Sequence, residues 1–271
     1  MYTSREEIGA AIARRLRAQR QELEEMWHAS TPVRHFFVDD LLPEEEARTL
    51  AQSFPDPGDL MLRSTMRERK RVGVEVRKYQ PRVGEFIFAF QRPEVIQAVA
   101  DITGLEGIEA DPSLYASGIS VMGKGDFLNP HIDNSHDGDG TRYRVLNLLF
   151  YVSPDWRLEN GGNLELWDSR VRRAYPILSR FNRLVVMETH ASSWHSVNRV
   201  LVDAPRLCVS NYYFSSRPPG GKSYSNMTTF TGRPEERVKR IILNLDGLAR
   251  NALGKTFPAL RNRTKHRLRE T

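Results

Sequence analysis

Apolar residues recur every three or four positions near the start of the chain. Ile8, Ile12, Leu16, Leu23 and Trp27 share one face, while Arg14, Arg15, Arg17 and Arg20 point elsewhere. This pattern predicts an amphipathic helix over residues 4–28. Ser4 and Glu7 have capping-box spacing at its start. "PVRHFFVDDLLPEEEARTLAQSF" then predicts a strand, a turn and a helix, with Pro43 in the first helical turn and Glu44 to Glu46 at its positive end. "RPEVIQAVADITG" repeats the device, with Pro93 near the start and Gly104 as a stop.

From Leu114 to about Ser215 the period changes. Short segments rich in Val, Ile, Leu, Phe and Tyr alternate with turns. Eight strands are expected: "YASGISVMG", "FLNPHID", "YRVLNLLFYVS", "GNLELWD", "RAYPILS", "RLVVMET", "WHSVNRV" and "RLCVSNYYFS". Such spacing suggests a sandwich or barrel. After "RPPGGKS" the pattern is helical again. Pro234 is expected to start a helix whose apolar stripe is Val238, Ile241, Ile242, Leu245 and Leu248, and Gly254 to end it. The expected fold is mainly β with flanking helices (α+β). It is read as a single domain over 1–271: a support region at 1–113, a β core at 114–215 and a helical basic extension at 216–271.

Charge adds a direction. The 271 residues carry a formal net charge of +6. This excess favours an acidic substrate, an anionic membrane surface or nucleic acid without choosing among them. Two clusters concentrate it, "RSTMRERKRVGVEVRKYQPR" and the tail "KTFPALRNRTKHRLRET". A solvated face is the plain reading of each; attraction to an anionic substrate or membrane surface is the functional one. No recognition helix or stacking motif speaks for DNA. Cys208 is the sole cysteine, so no internal disulfide forms, and no apolar run resembles a signal peptide or a membrane span. A reducing, cytoplasmic setting is expected, in which the sequons at Asn226 and Asn262 are chance matches.

The chemistry centres on "GDFLNPHIDNS". His131 and Asp133 are two apart on an expected strand and so share one face. His195 in "ETHASSWHSVNRV" is the candidate third metal ligand, on a late strand of the same sheet. Two histidines and a carboxylate suit non-haem Fe(II) with open positions; zinc in a hydrolase is the chemical rival, and a non-catalytic jelly-roll binding module is the third reading. Arg206 opens "RLCVSNYYF" eleven positions after His195, where a guanidinium could hold a carboxylate in bidentate fashion. His136 and Asp137 read as part of a Gly- and Asp-rich loop rather than as spare ligands.

These segments, with "YRVLNLLFYVSPDW" and "GGNLELWD", resemble the 2-oxoglutarate- and Fe(II)-dependent dioxygenases in their prolyl 4-hydroxylase-like branch, over roughly residues 32–215. The resemblance implies a double-stranded β-helix (jelly roll) buttressed by helices. It implies His131, Asp133 and His195 as iron ligands and Arg206 as the partner of the distal carboxylate of 2-oxoglutarate. The family's frequent Ser two positions after this Arg is here Cys208; Ser210 is the next residue on the same face and takes its place as a candidate cofactor contact, with Asn147 as another. It further implies O2 as cosubstrate, ascorbate as a candidate addition, and hydroxylation of an unactivated C–H bond with release of succinate and CO2. The substrate is expected to be polar or anionic: a peptidyl proline, an amino acid or an acidic glycolipid sugar, the last with peripheral membrane contact. Asp133 speaks against a halogenating relative, and Leu201, where nucleic-acid demethylases place an Arg, against DNA.

Overall fold

Ser4 caps the first helix as its spacing predicts. Its hydroxyl accepts from the Glu7 amide, and the Glu7 carboxylate accepts from the Ser4 amide. In this computed structural model, which describes residues 2–73, 75–115 and 117–256 (backbone alone from 251 on), the expected single helix is two. Helix α1 is Arg5–Ala18 and α2 is Arg20–Ala29, with Gln19 between them. No residue from 17 to 22 is buried, so no side chain anchors that turn to the core, and the helix is interrupted there.

Strand β1 (His35–Val38) leads to α3 (Glu44–Gln52), with Pro43 one step ahead of the first turn. A hairpin follows, β2 (Met61–Ser64) and β3 (Glu68–Gly73), then α4 (Pro81–Ala89) and α5 (Pro93–Thr103). Gly104 ends α5 at φ +69°, where a side chain would be strained. After the short β4 (Ile108–Glu109) come the eight expected strands: β5 (Gly118–Met122), β6 (Phe127–Ile132), β7 (Tyr143–Tyr151), β8 (Leu164–Trp167), β9 (Ala174–Ile177), β10 (Arg183–Glu188), β11 (His195–Val197) and β12 (Arg206–Ser215). They pair antiparallel in two sets, β10-β7-β12-β5 and β6-β11-β8-β9. Consecutive strands thus alternate between two facing layers, with only β8 and β9 staying together in one, which is the double-stranded β-helix. Strand β3 joins the layers by pairing with both β5 and β6, and β1 extends the first layer beyond β10.

Alternation along the first layer assigns two faces. Leu146, Leu148 and Phe150 of β7, with Val209 and Tyr213 of β12, join the large apolar cluster beneath α1, α4 and α5. Asn147, Leu149 and Tyr151 therefore face the interior, as do Arg206, Cys208, Ser210 and Tyr212.

Three features differ from expectation. The basic segment after residue 60 is no merely solvated face: β2 and β3 place it in the sheet beside β5 and β6. Helix α6 is Arg237–Thr256, starting after Pro234 and running through Gly254. Its stripe Val238, Ile241, Ile242, Leu245 and Leu248 is 45–72% exposed, while Leu243 points inward and Gly247 allows Thr229 of the short β13 (Thr229–Phe230) to approach. The basic tail beyond residue 256 lies outside the described residues. Among the described residues no helix is long and apolar enough to cross a membrane.

Asp39, after β1, clamps that edge strand to β10. Its carboxylate accepts from Arg183 Nε at 2.6 Å and the second Arg183 nitrogen at 2.8 Å, and from Arg180 at 3.0 Å. Burial pushes this carboxyl up, but Arg183 and then Arg180 outweigh it, and the net shift is downward. A depressed folded-state pKa stabilises above the unfolded value and loses that contribution as pH falls through the folded one. Asp39→Asn should therefore cost about 1 kcal/mol at neutral pH, discounted for the partial exposure of the pair. In thermal melts the gap to wild type should close below about pH 4, the unfolded carboxylate range. A gap that stayed constant into acid would contradict the clamp.

Candidate metal centre

Strands β6 and β11 pair antiparallel with His195 directly opposite His131. Cross-strand neighbours in this register lie side by side, and the two ring centroids are 4.1 Å apart. Phe230 of β13 pairs with His131 on the other edge and stacks on its ring at 5.1 Å. Each imidazole is turned by its own backbone: His131 Nδ1 meets Asn129 O at 3.0 Å and His195 Nδ1 meets Ser193 O at 3.0 Å. A carbonyl can only accept, so both Nδ1 atoms carry the proton and both Nε2 lone pairs face inward.

Asp133 completes the set at the end of β6. Its Oδ1 lies 3.6 Å from His131 Nε2 and its Oδ2 3.5 Å from His195 Nε2. The ligand atoms of the three residues all fall within 4.8 Å of one another. Burial pushes the Asp133 carboxyl up, yet the Arg144 guanidinium beside it holds it well below the usual range. His195 is pushed down to about 4 by burial and by His131, so it is neutral at pH 7. Two imidazole Nε2 atoms and one carboxylate on one side of an ion leave open positions on the other. That donor set fits Fe(II) and would also accept zinc.

Asn147 Nδ2 donates to Asp133 Oδ2 at 2.8 Å, and Arg144 reaches the same oxygen at 3.2 Å. Asn147 thus stands behind a metal-ligating candidate, although its own Oδ1 is buried without a partner. Ser210 lines the cavity over the centre, together with Tyr115 and Tyr212.

Arg206 sits deeper, 3% exposed, at the far end of the same inward face of β12. Its Nε donates to Gly162 O at 2.9 Å; its terminal nitrogens find only Ser179 Oγ at 3.5 Å and Met122 Sδ at 3.9 Å. No carboxylate pairs with it among the described residues. The guanidinium lies 4.7 Å over the Tyr151 ring, and the Tyr151 hydroxyl is buried without a hydrogen bond of normal geometry. Gly162, at φ +66°, makes room: a Cβ there would come within 3.3 Å of Arg206 Cγ.

Sequence reasoning missed Arg144 and Tyr151. The signal for Tyr151 was available: it lies four residues from Asn147 on one strand, hence on the same face, about 13 Å farther along. Arg144 carried none, since its partner Asp133 lies across a loop. Asp137 and His136 of that loop are engaged within it rather than at the centre. Asp137 accepts from Thr141 and Arg142 within it, and His136 packs on Tyr143.

Residues 117–214 match the family model of the 2OG-Fe(II) oxygenase superfamily. The matched segment takes in nearly all of β5 to β12, the strands that carry the centre. That superfamily's oxygenases require Fe(II), 2-oxoglutarate and O2, and the centre above is built from residues suited to that metal. Solved structures share this fold at low identity. A Pseudomonas putida prolyl 4-hydroxylase is 16% identical with TM-score 0.53, covering 71% of this chain and 98% of its own. A Phytophthora capsici prolyl 4-hydroxylase is 15% identical with TM-score 0.53, covering 79% and 67%. HygX from Streptomyces hygroscopicus, with nickel, 2-oxoglutarate and hygromycin B bound, is 12% identical with TM-score 0.50, covering 73% and 86%. No curated protein matches the chain.

If Asn147 orients Asp133, Asn147→Ala should weaken Ni(II) or Fe(II) binding about 10- to 100-fold. At saturating metal, 2-oxoglutarate affinity should be unaltered. Isothermal titration separates the two; loss of 2-oxoglutarate affinity with metal affinity intact would make Asn147 a cosubstrate contact instead.

Proposed function

We propose that the chain is an oxygenase that hydroxylates an unactivated C–H bond of a polar substrate, with His131, Asp133 and His195 as the metal ligands and Arg206 as the anchor of 2-oxoglutarate. The observation that carries this reading is the guanidinium of Arg206. A buried charge without a counter-ion costs several kcal/mol, and an orphaned hydroxyl beside it adds to the cost. A dianionic acid laid between the metal centre and this end would satisfy both. A zinc hydrolase has no need of such an anchor, and a binding module has no need of the inward-turned triad.

When bound, Fe(II) with 2-oxoglutarate and O2 supplies the oxidant for C–H hydroxylation, with succinate and CO2 as by-products. The chain's own residues bind, orient and shield. Asn129 O and Ser193 O fix the histidine tautomers; Asn147 and Arg144 hold one Asp133 oxygen and keep the carboxylate ionised. Arg206 and Tyr151 would hold the far carboxylate of the cosubstrate in bidentate fashion, with Ser210 along its flank. Leu149, Leu166, Met187 and Cys208 belong to the dry cluster between them, where the cosubstrate is shielded from water. Burial pushes the Cys208 thiol up, so it stays protonated there.

A peptidyl proline is one candidate substrate, by analogy with the prolyl 4-hydroxylases. A small polar molecule is another, as with the hygromycin B held by HygX. An acidic glycolipid sugar met at a membrane surface is a third, and a cytoplasmic setting suits all three.

Arg206→Ala should weaken 2-oxoglutarate binding about 10- to 100-fold, the worth of a charge-assisted pair, with Ni(II) affinity retained. Tyr151→Phe should cost about three- to ten-fold. Titration of 2-oxoglutarate into Ni(II)-loaded protein measures both. Wild-type affinity in the Arg206 variant would sink the assignment.

A further inference from the structure

The cavity over the metal centre, about 370 Å³, is walled on one side by the β2–β3 hairpin and on another by α6. Its positive side chains are Arg63, Arg67, Lys70, Arg144 and Arg250; Glu68 and Asp133 are its carboxylates. Two cations are answered locally: Lys70 by Glu68 at 3.0 Å, and Arg144 by Asp133 at 3.2 Å. Arg63 stands 3.9 Å from the Glu68 already held by Lys70. Arg67 of the hairpin and Arg250 of α6 come from adjoining walls and share one acid, Asp246, which lies 2.5 Å from Arg67. Arg250 has no ion pair of its own among the described residues. Burial, and then Arg67, pull it below its ordinary pKa, and Asp246 offsets only part of this. Like charges driven together in a concave site make an anion receptor.

We propose that Arg67 and Arg250 form an anion-binding subsite at the cavity mouth, which takes a phosphate or carboxylate group of the substrate. The proposal rests on the oxygenase reading and narrows its substrate to an anionic one. Position supports substrate rather than cosubstrate. The Arg67 guanidinium lies 6.0 Å over the Phe230 ring, and Phe230 stacks on His131. The subsite is thus one aromatic ring from the metal centre, on the open side, whereas Arg206 occupies the buried end. The carbon to be oxidised therefore lies within a few bonds of the anionic group. The Arg67 backbone is held in place, its carbonyl accepting from Asn129 N at 2.9 Å, and Lys239 of α6 reaches the same asparagine at 3.4 Å. Hairpin and helix are in this way braced against the strand that carries His131.

The test uses full-length protein loaded with Mn(II) and saturating 2-oxoglutarate, so that the cosubstrate's own site is filled. Inorganic phosphate is titrated with 31P relaxation as the readout, and acetate with 13C relaxation. Saturable paramagnetic broadening is expected for at least one anion, and the tighter of the two assigns a phosphorylated or a carboxylated substrate. Affinity should fall at least about ten-fold in Arg67→Gln/Arg250→Gln, with an unchanged melting temperature and unchanged 2-oxoglutarate affinity. Arg206→Ala should keep the anion and lose 2-oxoglutarate. The proposal is overturned if neither anion gives saturable broadening in wild type, or if the double variant binds as wild type does. It is equally overturned if the anion merely displaces 2-oxoglutarate. Failure of wild type to bind 2-oxoglutarate at all would instead bring down the oxygenase reading, and the claim of a substrate group with it.

Discussion

The structure turns on one register. His195 of β11 stands opposite His131 of β6, and every other property of the centre follows from that alignment. A slip of one residue would turn one imidazole to the opposite face and break the convergence. The neighbours guard against this. Each ring is locked by a carbonyl two residues back in its own chain, and β8 and β13 pair with the outer edges of β11 and β6.

Charge is distributed along the cavity with a logic of its own. Arg144 beside the centre is buried and is neutralised by the partly buried Asp133. Among the described residues, Arg206 at the deep end has no carboxylate partner, and Arg250 at the mouth has only a share of Asp246. In an interior where unpaired charge is expensive, these two cations define where anions are missing. The reading of a cosubstrate at one end and an anionic substrate at the other is the account that answers both.

The eight core strands were legible because period-two alternation between turns is a local signal, and each expected segment contains one. The H-x-D pair was legible for the same reason, since strand geometry alone places His131 and Asp133 on one face; the distant histidine was legible only as a candidate on a late strand and through the family resemblance. What stayed hidden is tertiary. The β2–β3 hairpin carries so many charges that its alternation reads as surface, and only its pairing with β5 and β6 shows which residues face the cavity. Arg144 and Arg250 meet their surroundings across loops and elements that no spacing connects. Periodicity shows the apolar stripe of α6 but does not say which side of a helix meets the body. Here Leu243 and Gly247 do so, and the stripe faces outward.

The central claim is that one interior holds a metal at His131, Asp133 and His195 and a dicarboxylic acid reaching to Arg206. The most direct measurement is a crystal structure grown without oxygen in Mn(II) and 2-oxoglutarate, with the metal located by its anomalous scattering. The account predicts a single strong peak between the two Nε2 atoms and the Asp133 carboxylate. It also predicts a chelating acid whose far carboxylate meets Arg206 and Tyr151. A metal bound elsewhere, or an acid whose far carboxylate avoids Arg206, would contradict it.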